Sequence, residues 1–590
     1  MLFRLFHNST SPTVRHSWIF WLAFAVASLS GASAVQSQTV SADFGNRSGA
    51  TPVIPSGIFA IGGMGSTVQD STALSRVSDA GLTGTRVWIP LAQIYATSTP
   101  NFSYLDRWMD TIKAAGLQPL GVIYQTPPSL ASNPCSPPSN VWKWGQLAAT
   151  VVAHLDQKYP GLMQDYEIWN EPELPSSLCI SNATTRLNTY LSMFYEAASA
   201  MHAQAKADGK AIRTGGPTIS QMSLAPTWIP AILSNTATAP YVDFVSFHLY
   251  ITGQTDINNG MTWSSLYSIT QSSTRGLAHY YHMVEPLVRA GHQPNAASTP
   301  IFISEFNDNW AYARDCCRNN EVYGSLWNSL AVTDFLNVVY SGAAHVPSQL
   351  GYFNSIGQYF CIMGQWNSAM DCNASVLEPY PQFYAYKLFA SPDYLDLQSG
   401  GHMASWVSPA STTSGLSATA FYTTSADSIV IVNPTATWYS SVNVSLNNAG
   451  LTSGKGTMYL IDQWHGQISS QAVTLKAASG SYSTAVEVPA YSTVAVSVKG
   501  SGAGSAPKAV LAVSPLSGTH PLPVYIDTWA SQPGGSAIIG RTIDFGDGHW
   551  VNATPAVWHS YTIPGTYTIR LSLRDQNGQL STASQVVTIH

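Results

Sequence analysis

The pattern of hydrophobic and polar positions changes character twice along the 590-residue chain. From about 55 to 392, short β-prone runs alternate with longer segments whose apolar spacing fits helices, a pattern typical of βα units around a parallel sheet. The α/β pattern therefore predicts a (β/α)8 TIM barrel. Its eight strands are predicted at 57–61, 84–88, 119–124, 166–169, 212–216, 242–247, 301–304 and 350–353. Helices are predicted between them at 70–80, 105–115, 141–158, 186–207, 273–290 and 323–339.

Beyond the barrel, short alternating strands separated by turn residues predict a β-sandwich. A strand-like stretch at 39–44 allows residues 35–50 to belong either to the barrel or to that sandwich. A Gly- and Ser-rich linker then precedes a second all-β unit, which we expect to be an immunoglobulin-like sandwich. The predicted units are a signal peptide at 1–34, the barrel at 35–392, the accessory sandwich at 393–498, the linker at 499–506 and the C-terminal unit at 507–590.

The N-terminus has the three parts of a secretion signal. A basic stretch precedes apolar residues 18–29, and Gly31-Ala-Ser-Ala34 provides a cleavage site. The apolar stretch is too short to span a bilayer, and no later apolar run reaches the length that spanning requires. We predict a secreted, extracellular protein without a membrane span after signal removal. A periplasmic or cell-surface location and an uncleaved signal anchor are the alternatives.

Composition narrows the class of partner. Charged residues make up 9% of the chain and aromatic residues 11%, and the formal net charge is −6. Because no basic patch is present, we expect no nucleic-acid partner. Sparse charge and many aromatic residues favour contact with neutral polymers, and we expect a monomer.

Six cysteines are consistent with export and with disulfides, although six cysteines allow 15 pairings. Cys361–Cys372 is the easiest local bridge, and Cys135–Cys179 joins loops after two successive predicted strands. Cys316 and Cys317 form a vicinal bridge or pair elsewhere. Since no C-x-x-C pair exists, we expect no zinc site. We also predict no other metal and no cofactor, because the chemistry of two carboxylates needs neither.

Two glutamates carry the candidate chemistry. Glu171 follows predicted strand four and Glu305 follows predicted strand seven, where catalytic side chains of TIM barrels lie. Two facing carboxylates are what cleavage of a glycosidic bond requires. The alternative for each is a buried structural ion pair. Two glutamates close to Glu171 are rival candidates for its role. We expect Glu167 to be buried and paired, and Glu173 to lie in a loop or a sugar subsite.

Two parts of the chain resemble known families. Ile168-Trp-Asn-Glu-Pro172, Ser246-Phe-His-Leu-Tyr250 and the trailing sandwich, over about 36–500, resemble clan A of the retaining glycoside hydrolases and are most like family 39. Families 5, 30 and 51 share much of this pattern. The C-terminal unit is similar to PKD domains, on Asp544-Phe-Gly-Asp-Gly548, His559-Ser-Tyr561 and Gly565-Thr-Tyr-Thr568.

The clan A resemblance implies a role for several residues. Glu171 is the expected acid/base and Glu305 the expected nucleophile. The substrate-binding residues that it implies are Asn170 at the sugar 2-hydroxyl, Arg86 holding the nucleophile ionised, and His248 and Tyr250 lining the site. One departure is that predicted strand eight ends Gly351-Tyr-Phe-Asn354, where many clan members have a tryptophan, and Trp366 lies well downstream.

Aromatic residues near predicted strand ends offer flat faces to sugar C–H groups, with a place in the core as the alternative for each. The candidates are Trp88, Tyr124, Trp169, Trp310 and Tyr312. In the C-terminal unit, Asp544 and Asp547 either form a turn or bind calcium, and we favour the turn.

Together these features predict a secreted retaining glycoside hydrolase that acts on O-glycosidic bonds of poly- or oligosaccharides through two glutamates. A catalytically silent carbohydrate-binding or adhesion protein is the alternative. An esterase is disfavoured because the chain has no G-x-S-x-G motif.

Overall fold

The computed structural model describes residues 38–45, 51–62, 74, 77–291, 296–310, 322–353, 365–366, 372–373, 379–408, 415–423, 426–449, 454–464, 467–478, 480–499, 507–532, 538–552, 555–575 and 580–590. The predicted signal peptide, residues 500–506 of the predicted linker, and Cys316, Cys317, Cys361 and Tyr312 lie outside those ranges. The domain boundaries stay predictions.

Eight parallel strands close into a barrel, so the predicted TIM barrel is confirmed. Strands β1 (Gln38–Asp43) and β2 (Val53–Ile54) precede it. The barrel strands are β3 (Phe59–Ile61), β4 (Gly84–Pro90), β5 (Gln118–Tyr124), β6 (Asp165–Ile168), β7 (Arg213–Ile219), β8 (Phe244–Thr252), β9 (Ile301–Asn309) and β10 (Gln349–Tyr352). They are ordered β10-β3-β4-β5-β6-β7-β8-β9, each beside its neighbour in sequence. Strand β9 is longer than predicted, and all 9 of its residues are buried.

The helices surround the barrel and are amphipathic where they pack on it. In α2, residues Leu105, Trp108, Met109 and Ile112 are buried at the spacing of one helical face. The side chain of Asn140 caps α3 by accepting a hydrogen bond from the Lys143 amide at 2.9 Å. The helices are α1 (Leu91–Ile94), α2 (Ser103–Ala114), α3 (Val141–Lys158), α4 (Ala183–Ala207), α5 (Ala225–Ser234), α6 (Gln254–Asn258), α7 (Trp263–Thr270), α8 (Leu277–Arg289), α9 (Val322–Asn337) and α10 (Pro381–Ala390).

Short 3-10 turns connect several of these elements, at Met222–Leu224, Ala239–Tyr241, Ala296–Ser298, Val338–Ser341 and Leu397–Ser399. Within the described ranges, no helix is both long and apolar enough to cross a bilayer.

A two-sheet sandwich follows the barrel. One sheet is ordered β14-β1-β17-β21-β20 and the other β19-β18-β22-β16-β15-β13-β2, so both N-terminal strands pair with it. The indole of Trp263 on α7 donates to the carbonyl of Pro434 at 2.6 Å and ties the sandwich to the barrel. The strands, after the short pair β11 (Gln365–Trp366) and β12 (Cys372–Asn373), are β13 (Gly401–Met403), β14 (Ser405–Ser408), β15 (Ser417–Tyr422), β16 (Ala426–Asn433), β17 (Tyr439–Asn447), β18 (Lys455–Ile461), β19 (Ser469–Thr474), β20 (Lys476–Ala478), β21 (Ser481–Val488) and β22 (Ser492–Lys499).

The C-terminal unit is a second sandwich with its own apolar core, as the fold prediction required. Its sheets are ordered β23-β25-β28 and β24-β30-β29-β26-β27. Asp544 and Asp547 accept the backbone N–H groups of Gly546 (2.9 Å) and His549 (3.1 Å), as turn residues do. The strands are β23 (Ala512–Ser514), β24 (Ser517–Gly518), β25 (Leu522–Asp527), β26 (Ile538–Asp544), β27 (Trp550–Asn552), β28 (Ala556–Tyr561), β29 (Gly565–Asp575) and β30 (Leu580–Ile589).

Candidate active site

The loop after β6 presents Glu171 at the carboxyl end of the barrel in a strained backbone conformation. Trp169 and Glu171 have left-handed φ values of 68° and 46°. Such values in residues other than glycine cost about 1–3 kcal/mol each and often occur at functional sites. Neighbouring strands hold the loop, because the Trp169 amide donates to the Ile123 carbonyl (2.8 Å) and the Glu171 amide to the Thr218 carbonyl (3.2 Å).

Glu305 lies within β9 rather than beyond its end, because the strand continues to Asn309. In the parallel register with β8, it lies beside His248. Tyr250, two residues further along β8, donates its hydroxyl to Oε2 of Glu305 at 2.8 Å. Strands six and seven of the barrel therefore place His248, Tyr250 and Glu305 together.

The guanidinium of Arg86, on β4, joins three of the site residues. Its Nε donates to Oε2 of Glu167 at 2.6 Å, its Nη2 donates to Oδ1 of Asn170 at 2.9 Å, and its Nη1 donates to Oε1 of Glu305. Arg86 and Glu167 are both buried, as expected for a paired barrel carboxylate. A buried charge of this kind is stable only when its partners stay in place.

His248 lies between the two candidate catalytic carboxylates. Its Nδ1 is 2.9 Å from Oε1 of Glu171 and 3.4 Å from Oε2 of Glu305. One such atom from each of these three side chains lies within 4.8 Å of the others. Carboxyl groups about 5–5.5 Å apart are typical of retaining glycosidases, whereas inverting ones need more room.

The same three side chains are of the types that bind divalent metal ions. However, Glu305 already accepts hydrogen bonds from the permanently charged Arg86 and from Tyr250. A metal ion at Glu305 would therefore face the repulsion of a guanidinium that is fully buried.

The predicted roles need a lowered pKa for the nucleophile Glu305 and a raised pKa for the acid Glu171. The pKa shifts of the two glutamates are the reverse. Burial raises the pKa of Glu305, and the opposing charges of His248 and Arg86 do not cancel that shift. Burial also acts to raise the pKa of Glu171, but the hydrogen bond and charge of His248, with the charge of Arg86, bring it below its usual value. His248 is therefore the hydrogen-bond partner of Glu171, the carboxyl group expected to carry the proton.

Glu173 lies in the loop after β6, as expected, but it is buried rather than exposed to a sugar. Its Oε1 accepts the backbone N–H groups of Ser220 (2.7 Å) and Gln221 (2.9 Å) and the Ser220 hydroxyl (3.0 Å). The Ser220 hydroxyl also helps to lower the pKa of Glu171. Sequence reasoning missed this link, for which the only signal was a second acidic residue two positions after Glu171.

Aromatic side chains surround one side of the cluster. The ring of Trp88 has the Arg86 guanidinium 4.9 Å from its centroid and lies 5.3 Å from the ring of Tyr124. Tyr124 in turn lies 5.6 Å from Trp169, which is fully buried and belongs to the core.

Two further aromatic residues lie at the rim. Trp310 follows β9 and is 55% exposed, and a Cβ at Gly253 would lie 2.4 Å from its indole nitrogen. A side chain at position 253 would therefore displace this ring. Phe353, at the end of β10, packs edge-on against Tyr250 at 6.3 Å, where many clan members have a tryptophan. Sequence reasoning did not assign it, although its place at the end of predicted strand eight was a usable signal.

A disulfide joins Cys135 and Cys179, which confirms that predicted pairing. The amide of Cys179 also donates to the carbonyl of Cys135 at 2.8 Å. The bridge ties the loop after β5 to the loop after β6, which carries Glu171.

Comparison with known proteins identifies the families that the chain resembles. Residues 93–353 match the model of glycosyl hydrolases family 39, and residues 504–589 match that of the PKD domain. The barrel is most like family 39. The predicted resemblances to this family and to PKD domains are thereby confirmed.

Relatives of this family 39-like chain include two β-xylosidases. That of Geobacillus stearothermophilus is 26% identical over 226 residues, 36% of this chain and 42% of that protein. That of Caldicellulosiruptor saccharolyticus is 27% identical over 165 residues, 26% of this chain and 31% of that protein. The matched segments thus span less than half the length of either relative.

Solved structures share the fold of the family 39-like barrel. A GH39 enzyme from Xanthomonas axonopodis pv. citri superposes with a TM-score of 0.55 at 14% identity, over 79% of this chain and 97% of that one. A bacterial orthologue of human α-L-iduronidase superposes with a TM-score of 0.57 at 14% identity, over 93% of this chain and 100% of that one.

Proposed function

We propose that this chain is a secreted retaining glycoside hydrolase that cleaves O-glycosidic bonds in poly- or oligosaccharides. The observation that carries the proposal is the placement of Glu171 and Glu305, whose nearest oxygens lie within 4.8 Å, at the carboxyl end of the barrel. A pair at this separation supports double displacement, because it leaves no room for a water between the sugar and the nucleophile.

In the first step, Glu305 attacks the anomeric carbon while Glu171 gives its proton to the leaving oxygen. The glycosidic bond breaks and an ester between the sugar and Glu305 forms. In the second step, Glu171 takes a proton from water, and the resulting hydroxide attacks the same carbon and releases Glu305. The proton taken from water replaces the one given to the leaving group, so each turnover leaves both carboxyl groups in their starting states.

The other residues of the cluster act on these two carboxylates. Arg86 and Tyr250 both donate to Glu305, and each hydrogen bond weakens as the oxygens lose charge to the new ester. Both donors therefore favour departure of Glu305 in the second step. Asn170 bonds the sugar hydroxyl next to the anomeric carbon, and the hydrogen bond that its Oδ1 accepts from Arg86 at 2.9 Å supports this role.

The proposed acid role requires a change at Glu171 when substrate binds. The hydrogen bond between His248 and Glu171 at 2.9 Å lowers the pKa of Glu171. A neutral glycosidic oxygen in place of that donor, together with the exclusion of water, raises the pKa of a buried carboxyl group. We infer that substrate binding itself places the proton on Glu171.

The substrate proposed for first trial is a β-linked xylose derivative, since both relatives named above are β-xylosidases. Secretion is proposed from the sequence pattern of residues 1–34, and a monomer is expected.

The experiment that tests the function uses the variant Glu305→Gly with and without azide, on aryl β-xylosides and then on other aryl glycosides. Hydrolysis should fall by about 10⁴-fold or more, and azide should restore part of it by attacking the anomeric carbon in place of Glu305. Glu487→Gln, at an exposed position on β21, is the matched control and should keep full activity.

Two results would contradict this function. Unchanged hydrolysis in Glu305→Gly removes Glu305 from the nucleophile role. No hydrolysis by the wild type on any glycoside, with sugar binding retained, favours the silent carbohydrate-binding alternative.

The acid role of Glu171 has its own check. Glu171→Ala should slow the hydrolysis of substrates with poor leaving groups far more than that of activated aryl glycosides.

A further inference from the structure

The outer face of one sheet in the PKD-like unit carries a row of four aligned side chains. Trp550 on β27 lies opposite Asp544 on β26, Asp544 lies opposite Arg570 on β29, and Arg570 lies opposite Ser584 on β30. Directly opposed residues of antiparallel strands point to the same face. All four are exposed. Since neighbouring strands are about 4.8 Å apart, this Trp550 row spans about 14 Å.

One end of the Trp550 row forms an open cavity. Thr542, Asp544, Gly548 and Trp550 line a volume of about 560 Å³, which lies within the usual size of small-ligand sites. The indole is 63% exposed. Asp544 uses Oδ1 to accept the Gly546 amide, and its other oxygen accepts no hydrogen bond from the described residues. A flat aromatic face and a hydrogen-bond acceptor therefore lie side by side in contact with solvent.

The Trp550 row faces away from the barrel. The other sheet of the unit presents Tyr525 and Trp558 to helix α2, where Nζ of Lys113 lies 5.5 and 5.2 Å from the two ring centroids. The outer faces of the two sheets of a sandwich point in opposite directions. The contact with α2 thus leaves the Trp550 row uncovered.

We propose that the Trp550 row is a binding site for a neutral polysaccharide. The indole of Trp550 stacks on the C–H face of one sugar ring, Asp544 accepts hydrogen bonds from sugar hydroxyls, and Arg570 donates to them. One carboxylate and one guanidinium give the row no net charge, so it does not favour a charged polymer. That the polymer is also the substrate of the barrel rests on the proposed function, whereas the site itself does not.

A polysaccharide fits this face better than a protein partner. Stable protein interfaces bury about 800 Å² on each side around an apolar core. Among the described residues of β26, β27, β29 and β30, Trp550 and Val586 are the large exposed apolar side chains. The neighbouring register row, Thr542, Ser572 and Thr582, consists of short polar residues.

The test compares retention of the full-length chain on insoluble xylan, arabinan and β-glucan. All variants carry Glu305→Gln, so that the polymers are not degraded. On the polymer that is bound, Trp550→Ala should raise Kd about 5- to 10-fold and Arg570→Ala about threefold. Trp464→Ala, which removes a 71% exposed tryptophan from the accessory sandwich, should bind as the parent does.

Equal retention of the parent, Trp550→Ala and Arg570→Ala on every polymer would overturn the proposal, and so would the absence of retention in all of them. An equal loss in Trp464→Ala would also overturn it. In an otherwise wild-type background, Trp550→Ala should hydrolyse short soluble oligosaccharides at the unchanged rate. If the wild type hydrolyses nothing but retention depends on Trp550, the proposed function fails and the binding site stands.

Discussion

Nδ1 of His248 lies 2.9 Å from Oε1 of Glu171, within the same pocket in which Glu305 is held by Arg86 and Tyr250. This hydrogen bond lowers the pKa of Glu171. Burial lowers the pKa of His248, but the charges of Glu305 and Glu171 and the hydrogen bond to Glu171 raise it above its usual value. The imidazole therefore lowers the pKa of Glu171 while its own pKa is raised.

Replacing His248 should move the pH profile in a defined direction. A general acid must be protonated, so kcat/KM falls as pH rises through the pKa of Glu171. Because His248 lowers that pKa, His248→Ala should raise it and move the basic limb of the profile to higher pH, with a fall in kcat/KM of about 10²-fold. His248→Asn keeps a neutral donor and should move the limb less. A shift to lower pH would contradict the assignment of that limb to Glu171.

Arg86 should be important for both stability and activity. Arg86→Ala leaves Glu167 and Glu305 without their shared cation, and loss of one partner of a buried ion pair costs about 3–5 kcal/mol of unfolding free energy. Arg86→Lys keeps the charge but cannot donate to three partners at once, so we expect about 10²-fold slower turnover from a folded protein.

Urea unfolding of the Arg86 variants, followed by their kcat, checks both effects. Arg213→Ala is the control, because Arg213 forms an exposed ion pair with Asp165 at 2.6 Å and its loss should cost about 1 kcal/mol or less. Equal destabilisation by Arg86→Ala and Arg213→Ala would contradict the buried-cluster argument.

The local pattern of apolar and polar residues was sufficient to predict the barrel strands. It was also sufficient to expect Glu171 and Glu305 at the same edge of the barrel. Each strand is a short β-prone run, and the carboxyl ends of parallel strands meet at one edge. The same reasoning could not show that Arg86 contacts Glu167, Asn170 and Glu305 together, since that depends on side-chain directions on three separate strands.

The sequence also could not predict which of Glu171 and Glu305 has its pKa raised and which has it lowered. The motif identified His248 as a lining residue, but whether its Nδ1 lies nearer to Glu171 or to Glu305 is a matter of 0.5 Å (3.4 − 2.9 Å) in the folded chain. The pairing of β1 with β17, in register from Gln38↔Val442 to Asp43↔Asn447, likewise joins segments that are far apart in sequence. Strand propensity predicted an element at 39–44 but not its partner.

Glu173 should make stability depend on pH. Burial raises its pKa, partly offset by the backbone N–H groups of Gln221 and Ser220. A carboxyl group with a raised folded-state pKa contributes stability that is present below its unfolded pKa and lost as pH rises through the folded pKa. In Glu173→Gln, the melting temperature relative to wild type should therefore increase from pH 4 to pH 7. Glu487→Gln is the exposed control, and a relative melting temperature that falls over this range would contradict the prediction.

The Cys135–Cys179 bridge should stabilise the loop that holds Glu171. It closes a segment with a sequence separation of 44, for which the loss of chain entropy in the unfolded state corresponds to about 4 kcal/mol. In the variant Cys135→Ser/Cys179→Ser, the urea midpoint of barrel unfolding should fall. Glycosidase activity should then be lost at lower temperature, because the loop after β6 loses its covalent tie. Reductant should destabilise the wild type but have little further effect on the double variant. If reductant lowers the midpoint of both equally, the stabilising bridge lies elsewhere in the chain.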